Sequence, residues 1–166
     1  MEEKTQRRFA VMGTNTFRIA NRLMKNQTIC RLLKYQVRDP LNTEKYEDVD
    51  GADLINKQIL IVPKIFDDST EKMSYITAIF DDYVVNSFNP EFKVCTVRFD
   101  IACPYDEWLL NEKTLRPYMI MQEIDAMFNE EKLAGIGTLQ FHRADNLTLS
   151  PWIGGYSMRY KINEFN

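Results

Sequence analysis

Residues 93–103 alternate without a break. Cys95, Val97, Phe99, Ile101 and Cys103 fall on one side of an extended chain, and Val94, Thr96, Arg98, Asp100 and Ala102 fall on the other. A helix would scatter that apolar set around its circumference, so the stretch commits to a β-strand whose cysteine-bearing face meets a core. Such a strand needs partners at its edges and a layer over its apolar side. Its neighbours in sequence supply the partners. Residues 74–85 put Ile76, Ala78 and Phe80 on one face and Tyr75, Thr77 and Ile79 on the other, and the polar stretch 86–90, with Pro90, is the turn between the two strands.

Towards the C-terminus, Leu139, Phe141 and Arg143 begin another strand, Asp145-Asn146 marks a turn, and Tyr156, Met158, Tyr160 and Ile162 line one side of a last strand that runs to the chain end. The covering layer comes from residues 115–128. There Ile120, Ile124 and Phe128 form an apolar stripe at helical spacing, Thr114 is the candidate N-cap, and Pro117 sits in the first turn, where its missing N–H costs little. Gln122, Glu123 and Asp125 fall on the opposite, water-facing side of that helix.

The continuous apolar run Ile59-Leu60-Ile61-Val62 predicts a strand over 58–65 that is covered on both faces or meets a second subunit, and Pro63 makes it an edge strand. A polar turn follows at residues 67–72. Upstream, Phe17, Ala20 and Leu23/Met24 recur at helical spacing, a second helical piece starts at Ile29, and Asn26 punctuates the two. Asp39-Pro40 ends this region. The fold expected is α+β: a mainly antiparallel sheet of about five strands, one helix packed on a face, and an N-terminal helical segment. With 166 residues and 45% hydrophobic side chains, one domain accounts for the chain. It divides into a basic helical region 1–38, an acidic loop or arm 39–57, and a sheet-plus-helix core 58–166.

The formal net charge of −3 hides a polarity along the chain. Residues 1–38 carry nine Lys or Arg against two Glu, a net of +7, which leaves −10 for the rest. Between residues 39 and 53 six acids face one lysine. Arg18, Arg22 and Lys25 on one side, and Glu44, Glu47, Asp48 and Asp50 on the other, are therefore candidate contacts to another subunit or partner, with solvated helix and loop faces as the plainer alternative. Trp152, in a Pro/Gly-rich loop that gives it little local cover, is a further contact candidate. A pI near 5.3 argues against a general nucleic-acid binder. No apolar run approaches the ~20 residues of a membrane span, and the N-terminus lacks a signal-peptide core, so a soluble protein made inside the cell is expected. Cys30, Cys95 and Cys103 are odd in number, and the last two would lie roughly 26 Å apart along one strand, which favours reduced thiols.

Catalytic equipment is sparse. His142 is the one histidine, so a triad with a second histidine or a multi-histidine metal site has nothing to draw on. There is no P-loop, dinucleotide fingerprint or paired-cysteine zinc spacing, and no cofactor is expected. One constellation resembles the carboxylate-then-Glu-x-Lys arrangement of restriction-type nucleases. Asp81-Asp82 ends one strand and Glu91-x-Lys93 opens the next, so that Asp82 and Glu91 would hold Mg²⁺ while Lys93 assists the attacking water. A solvated strand end and an edge-protecting lysine explain the same residues.

The order of N-terminal helix, polar arm, three strands, helix and two final strands is similar to that of the tail terminator and head-to-tail joining proteins of tailed bacteriophages. Leu115-Arg116-Pro117-Tyr118-Met119-Ile120, Gly135-Ile136-Gly137 and Gly154-Gly155-Tyr156 look like that family's C-terminal half. The likeness covers the whole order of elements, and in sequence residues 93–166. It implies a non-enzymatic virion protein, made in the host cytoplasm, that forms a ring, typically a hexamer, at the head-proximal end of the tail. Its partners would be the tail tube and the neck connector, with DNA passing through the lumen unbound and no membrane involved. The arm would then reach the basic helices of the next subunit. A Mg²⁺-dependent nuclease and a protein-binding adaptor are the alternative functions.

Overall fold

A computed structural model describes residues 8–64, 72–85, 87–88 and 92–165. Among these, three α-helices cover one face of a six-stranded sheet. The helices are α1 (Arg8–Lys25), α2 (Gln27–Lys34) and α3 (Arg116–Phe128). The strands are β1 (Ile59–Leu60), β2 (Tyr75–Val85), β3 (Phe92–Pro104), β4 (Lys132–Leu133), β5 (Gly137–Thr148) and β6 (Ile153–Phe165), in spatial order β1-β2-β3-β6-β5-β4. The α+β class holds. The sheet is mixed, however, because β1 runs parallel to β2.

The alternation in β3 sets the core. Cys95, Val97, Phe99, Ile101 and Cys103 are all buried, and they pack against Ile19, Leu23, Ile29, Leu32, Ile120, Ile124 and Phe128 from the three helices. Opposite them on β6 stand Ile162, Tyr160, Met158 and Tyr156, paired with Cys95, Val97, Phe99 and Ile101 in turn. Gly155 is required at the crossing, since a Cβ there would run into the Ile101 carbonyl. Asn26 separates α1 from α2 as the sequence indicated, its side chain accepting a hydrogen bond from the Ile29 N–H. All three cysteines are buried, and none is in a disulfide.

Several expectations fail for identifiable reasons. The strand over 58–65 shrinks to Ile59–Leu60. The chain bends at Ile61 and Val62 before Pro63, and Val62 is exposed where cover had been expected. The segment 39–57 is no free arm: Gln27 clamps it by donating to the Val49 carbonyl and accepting from the Val49 N–H, and Tyr35 donates its hydroxyl to the Glu47 carbonyl. A 3-10 turn, Gly51–Leu54, then lays Gly51 against the Met24 backbone, with no room for a Cβ.

Of the apolar residues at helical spacing on α1, Phe17 is exposed, and Ile19 joins Ala20 and Leu23 in the buried set. The N-cap of α3 is Leu115, whose side chain has no polar atom to bond, and the Thr114 carbonyl accepts from the Leu110 N–H instead. Glu123 and Asp125 do not simply face water. They accept hydrogen bonds from Asn26 and from the Tyr160 hydroxyl. Strand β5 runs straight through Asp145-Asn146, and the reversal comes after Thr148. The turn expected at 67–72 and most of that at 86–90 lie outside the described residues.

Candidate interaction surface

The face of the sheet turned away from the helices carries an ion-pair ladder built by the polar positions of four strands. Asp81 on β2 bridges Arg98 on β3 at 2.5 Å and Arg159 on β6 at 3.5 Å. Arg98 also holds Asp100 at 3.1 Å, and Asp100 accepts the Ser157 hydroxyl at 2.6 Å. Across β6, Arg159 reaches Asp145 on β5 at 2.8 Å, and Asp145 also takes Arg143 at 3.0 Å. The strand register explains the need for this. Arg98 and Arg159 are direct cross-strand partners, a repulsive pair unless carboxylates stand between them. A bulge between Phe80 and Asp82 inserts Asp81 where it can serve both. Three arginines and three aspartates thus neutralise one another.

The nuclease constellation lies only partly among the described residues. The Asp81 carboxylate is committed to two guanidiniums, and Asp82 sits opposite Thr96 on the exposed part of β2. Glu91 lies outside the described residues, and Lys93 is placed by its backbone opposite Val85 and Glu164. Among the described residues no group of three His, Cys, Asp or Glu side chains is arranged to hold a metal ion. His142 is exposed at a second bulge, between Phe141 and Arg143 on β5.

The basic residues of α1 part company. Arg18 and Lys25 are exposed, whereas Arg22 is drawn inward. It donates to the Met127 carbonyl at 2.7 Å, pairs with Glu131 at 3.1 Å and lies over the Phe128 ring at 5.0 Å. Between α1 and the β4 hairpin opens a cleft of about 360 Å³ lined by Asn15, Arg18, Arg22, Glu131, Lys132 and Ala134, among others. Asn15, one of the lining residues, is buried. Its amide donates to the Val11 and Ala134 carbonyls, and its Oδ1 has no partner.

The acidic residues separate in the same way. Asp48 pairs with the buried Arg31 at 2.7 Å, and Asp50 caps the 3-10 turn through the Ala52 N–H. Glu44 and Glu47 stay exposed and make no ion pair among the described residues. Trp152 is exposed as expected, with the Lys72 ammonium 4.9 Å over its ring.

The two ends of the sheet also differ. Where β3 ends and β6 begins, Tyr105, Trp108, Tyr156 and Tyr118 form a surface row with ring centroids 5.2, 6.2 and 5.2 Å apart, closed by a 2.7 Å bond between the Tyr118 and Tyr156 hydroxyls. At the far end of β2, Val84 and Val85 are about half exposed, and Phe88 beyond them is fully so. Apolar side chains left in water at a strand end suit a surface made to be covered.

Sequence reasoning missed Arg116, which is buried among the core residues. Its guanidinium donates to the carbonyls of Leu32, Tyr35 and Val37, closing the C-terminal end of α2, and its Nε donates to the Glu107 carbonyl. Burial pulls its pKa below the ordinary value and pushes that of Glu107, beside it, upward. No local pattern marks this role, because the acceptors lie about 80 residues upstream. The ladder did leave a signal: Arg98-x-Asp100 and Arg143-x-Asp145 are opposite charges two apart, which places each pair on one strand face.

The fold defines a two-layer α+β protein. The chain belongs to the YomW family, whose model matches residues 26–162, a span that takes in α2, α3 and most of the sheet. The family name is phage-derived. No curated protein matches the chain.

Proposed function

We propose that this protein is a non-catalytic structural subunit of a phage tail, forming a ring at the head-proximal end that stops the tail tube and joins it to the neck. The observation that carries the reading is the exposed apolar end of β2, where Val84 and Val85 stand half in water at the far end of the sheet from the aromatic row. A subunit stacked between two partners needs distinct surfaces at its two ends, and this one has them. The order of elements and the phage-derived family name support the same reading. The partners are then other copies of the chain, the tail tube protein and the connector. The net-acidic surface favours passage of DNA through the lumen without adhesion. The protein is made in the host cytoplasm and ends in the virion.

Mass photometry over a concentration series, with negative-stain images of the same samples and of isolated tail tubes mixed with the protein, tests this. Closed rings, or caps on tube ends, are expected. A protein that stays monomeric and leaves tube ends bare would overturn the proposal. Val84→Asp with Val85→Asp should abolish capping while leaving the thermal unfolding midpoint within a few degrees.

A further inference from the structure

Two unmatched charge sets lie on opposite flanks of α1. Asn15, Arg18 and Arg22 line the cleft on one flank. Met24, whose backbone receives Gly51 and so anchors the acidic segment 44–50, is nine residues beyond Asn15, or ~180° round the helix at ~100° per residue. The cleft holds Arg18 and Lys132, neither with an ion pair among the described residues, and a buried Asn15 Oδ1 with nothing to accept from. The acidic segment holds Glu44 and Glu47, exposed and unmatched, three residues apart on a backbone fixed by Gln27 and Tyr35.

We propose that the cleft between α1 and β4 receives the acidic segment 44–50 of a second copy of this chain, making a head-to-tail contact between neighbouring subunits. This rests on the ring reading above and specifies its subunit interface. Three features favour a peptide over a free anion and a second copy over another acidic protein. A fully deprotonated anion brings acceptors only, whereas a peptide brings N–H groups together with its carboxylates to a cleft beside an Asn15 amide oxygen that has no donor. Arg18 and Lys132 supply two cations for the two unmatched glutamates. The complementary sets are two different patches of one chain, as a head-to-tail contact between copies requires. The segment is held against its own α1 and α2, so it meets the neighbour as a preformed surface and loses little freedom on docking. Arg22, engaged with Glu131 and the Met127 carbonyl, forms the wall of the cleft and stays with its own subunit.

A charge swap tests the contact. Arg18→Glu with Lys132→Glu makes the cleft acidic, and Glu44→Lys with Glu47→Lys makes the segment basic. All four positions are exposed, and circular dichroism and the unfolding midpoint should match the wild type. Each double variant alone should self-associate at least about tenfold more weakly than wild type in sedimentation velocity, because like charges then meet. An equimolar mixture of the two should recover association. In parallel, a zero-length carboxyl–amine cross-linker applied to a mixture of isotopically light and heavy wild-type protein should give mixed-isotope links from Lys132 to Glu44 or Glu47.

Rings that persist unchanged in both variants would overturn this interface and leave the ring reading standing. Absence of any assembly, alone or on tail tubes, would remove both. Mixed-isotope links that map elsewhere, or that form only when another virion protein is added, would also overturn the second-copy assignment.

Discussion

On β3, Phe99 and Ile101 expose no surface, while Arg98 and Asp100, each one residue away, face solvent through a ladder of ion pairs. The same strand thus closes its two sides by different physics. The helix side relies on apolar area removed from water, about 25 cal/mol per Å², and on close packing, neither of which depends on salt. The outer side relies on charges that remain partly hydrated and are screened by ions. The first side should therefore set the stability of the subunit. The second should set the register of the strands and keep the open face soluble.

The largest expected effect is on the helix side. Phe99 stacks on Phe128 at 5.2 Å and meets Tyr160 edge-on at 5.8 Å. Phe99→Ala removes both contacts and leaves a cavity among residues held by three strands and a helix. Denaturant unfolding should show a loss of about 3–5 kcal/mol. A loss below ~1 kcal/mol would mean that the core face is not the structural centre.

Arg116→Met comes next. The new side chain fills most of the volume but leaves the carbonyls of Leu32, Tyr35, Val37 and Glu107 without their donor, so about 2–4 kcal/mol should be lost. Arg116 is fully buried, and its loss should be as insensitive to salt as that of Phe99. Full retention of stability would show that water replaces the guanidinium without penalty.

The reach of sequence reasoning follows the same division between local and distant causes. The β3 alternation and the Ile120, Ile124, Phe128 stripe were legible because each depends on residues a few positions apart. Arg116 was not, since its partners belong to the end of α2 and the loop before α3. Helical spacing alone did not separate Phe17, which is exposed, from Ile19, which is buried in the core. Polarity alone left 39–57 as a loop or an arm, and Gln27, Tyr35 and Arg31 pin it to α2 as a loop. Of the candidate contact residues named from charge and local composition, Arg18, Lys25, Glu44, Glu47 and Trp152 are exposed in the structure. Lys132 and Asn15 join the cleft only once the β4 hairpin folds onto α1.

A smaller effect appears at high pH and again belongs to the helix side and its margin. Burial pushes the Cys30 thiol up to about 11 and the Cys103 thiol and the Tyr75 phenol up to about 12. In each case the folded chain holds a proton that the unfolded chain releases more readily. Their contribution is therefore complete below the unfolded thiol range, near pH ~8.5, and is lost as pH climbs through about 11 to 12. Stability measured from pH 7 upward should stay level and then fall over that window. Cys103→Ala should make the fall shallower. An unchanged slope in that variant would remove Cys103 from the explanation.

The smallest effect expected is Asp81→Ala, which tests the outer side. Without Asp81, Arg98 and Arg159 face each other across β3 and β6 with no carboxylate between them, although Asp100 and Asp145 still hold their far sides. The remaining pairs limit the loss to about 0.5–1 kcal/mol at low salt. The sign of the salt dependence is the informative part. Screening weakens the lost attraction to Asp81 and the uncovered repulsion between the arginines together, so the gap between variant and wild type should close towards ~1 M salt, where the Debye length falls to ~3 Å. Under the same change the cost of Phe99→Ala should stay constant. If the Asp81 cost instead reached several kcal/mol and ignored salt, the outer face would be as closed as the core, and the division of labour between the two sides of the sheet would be wrong.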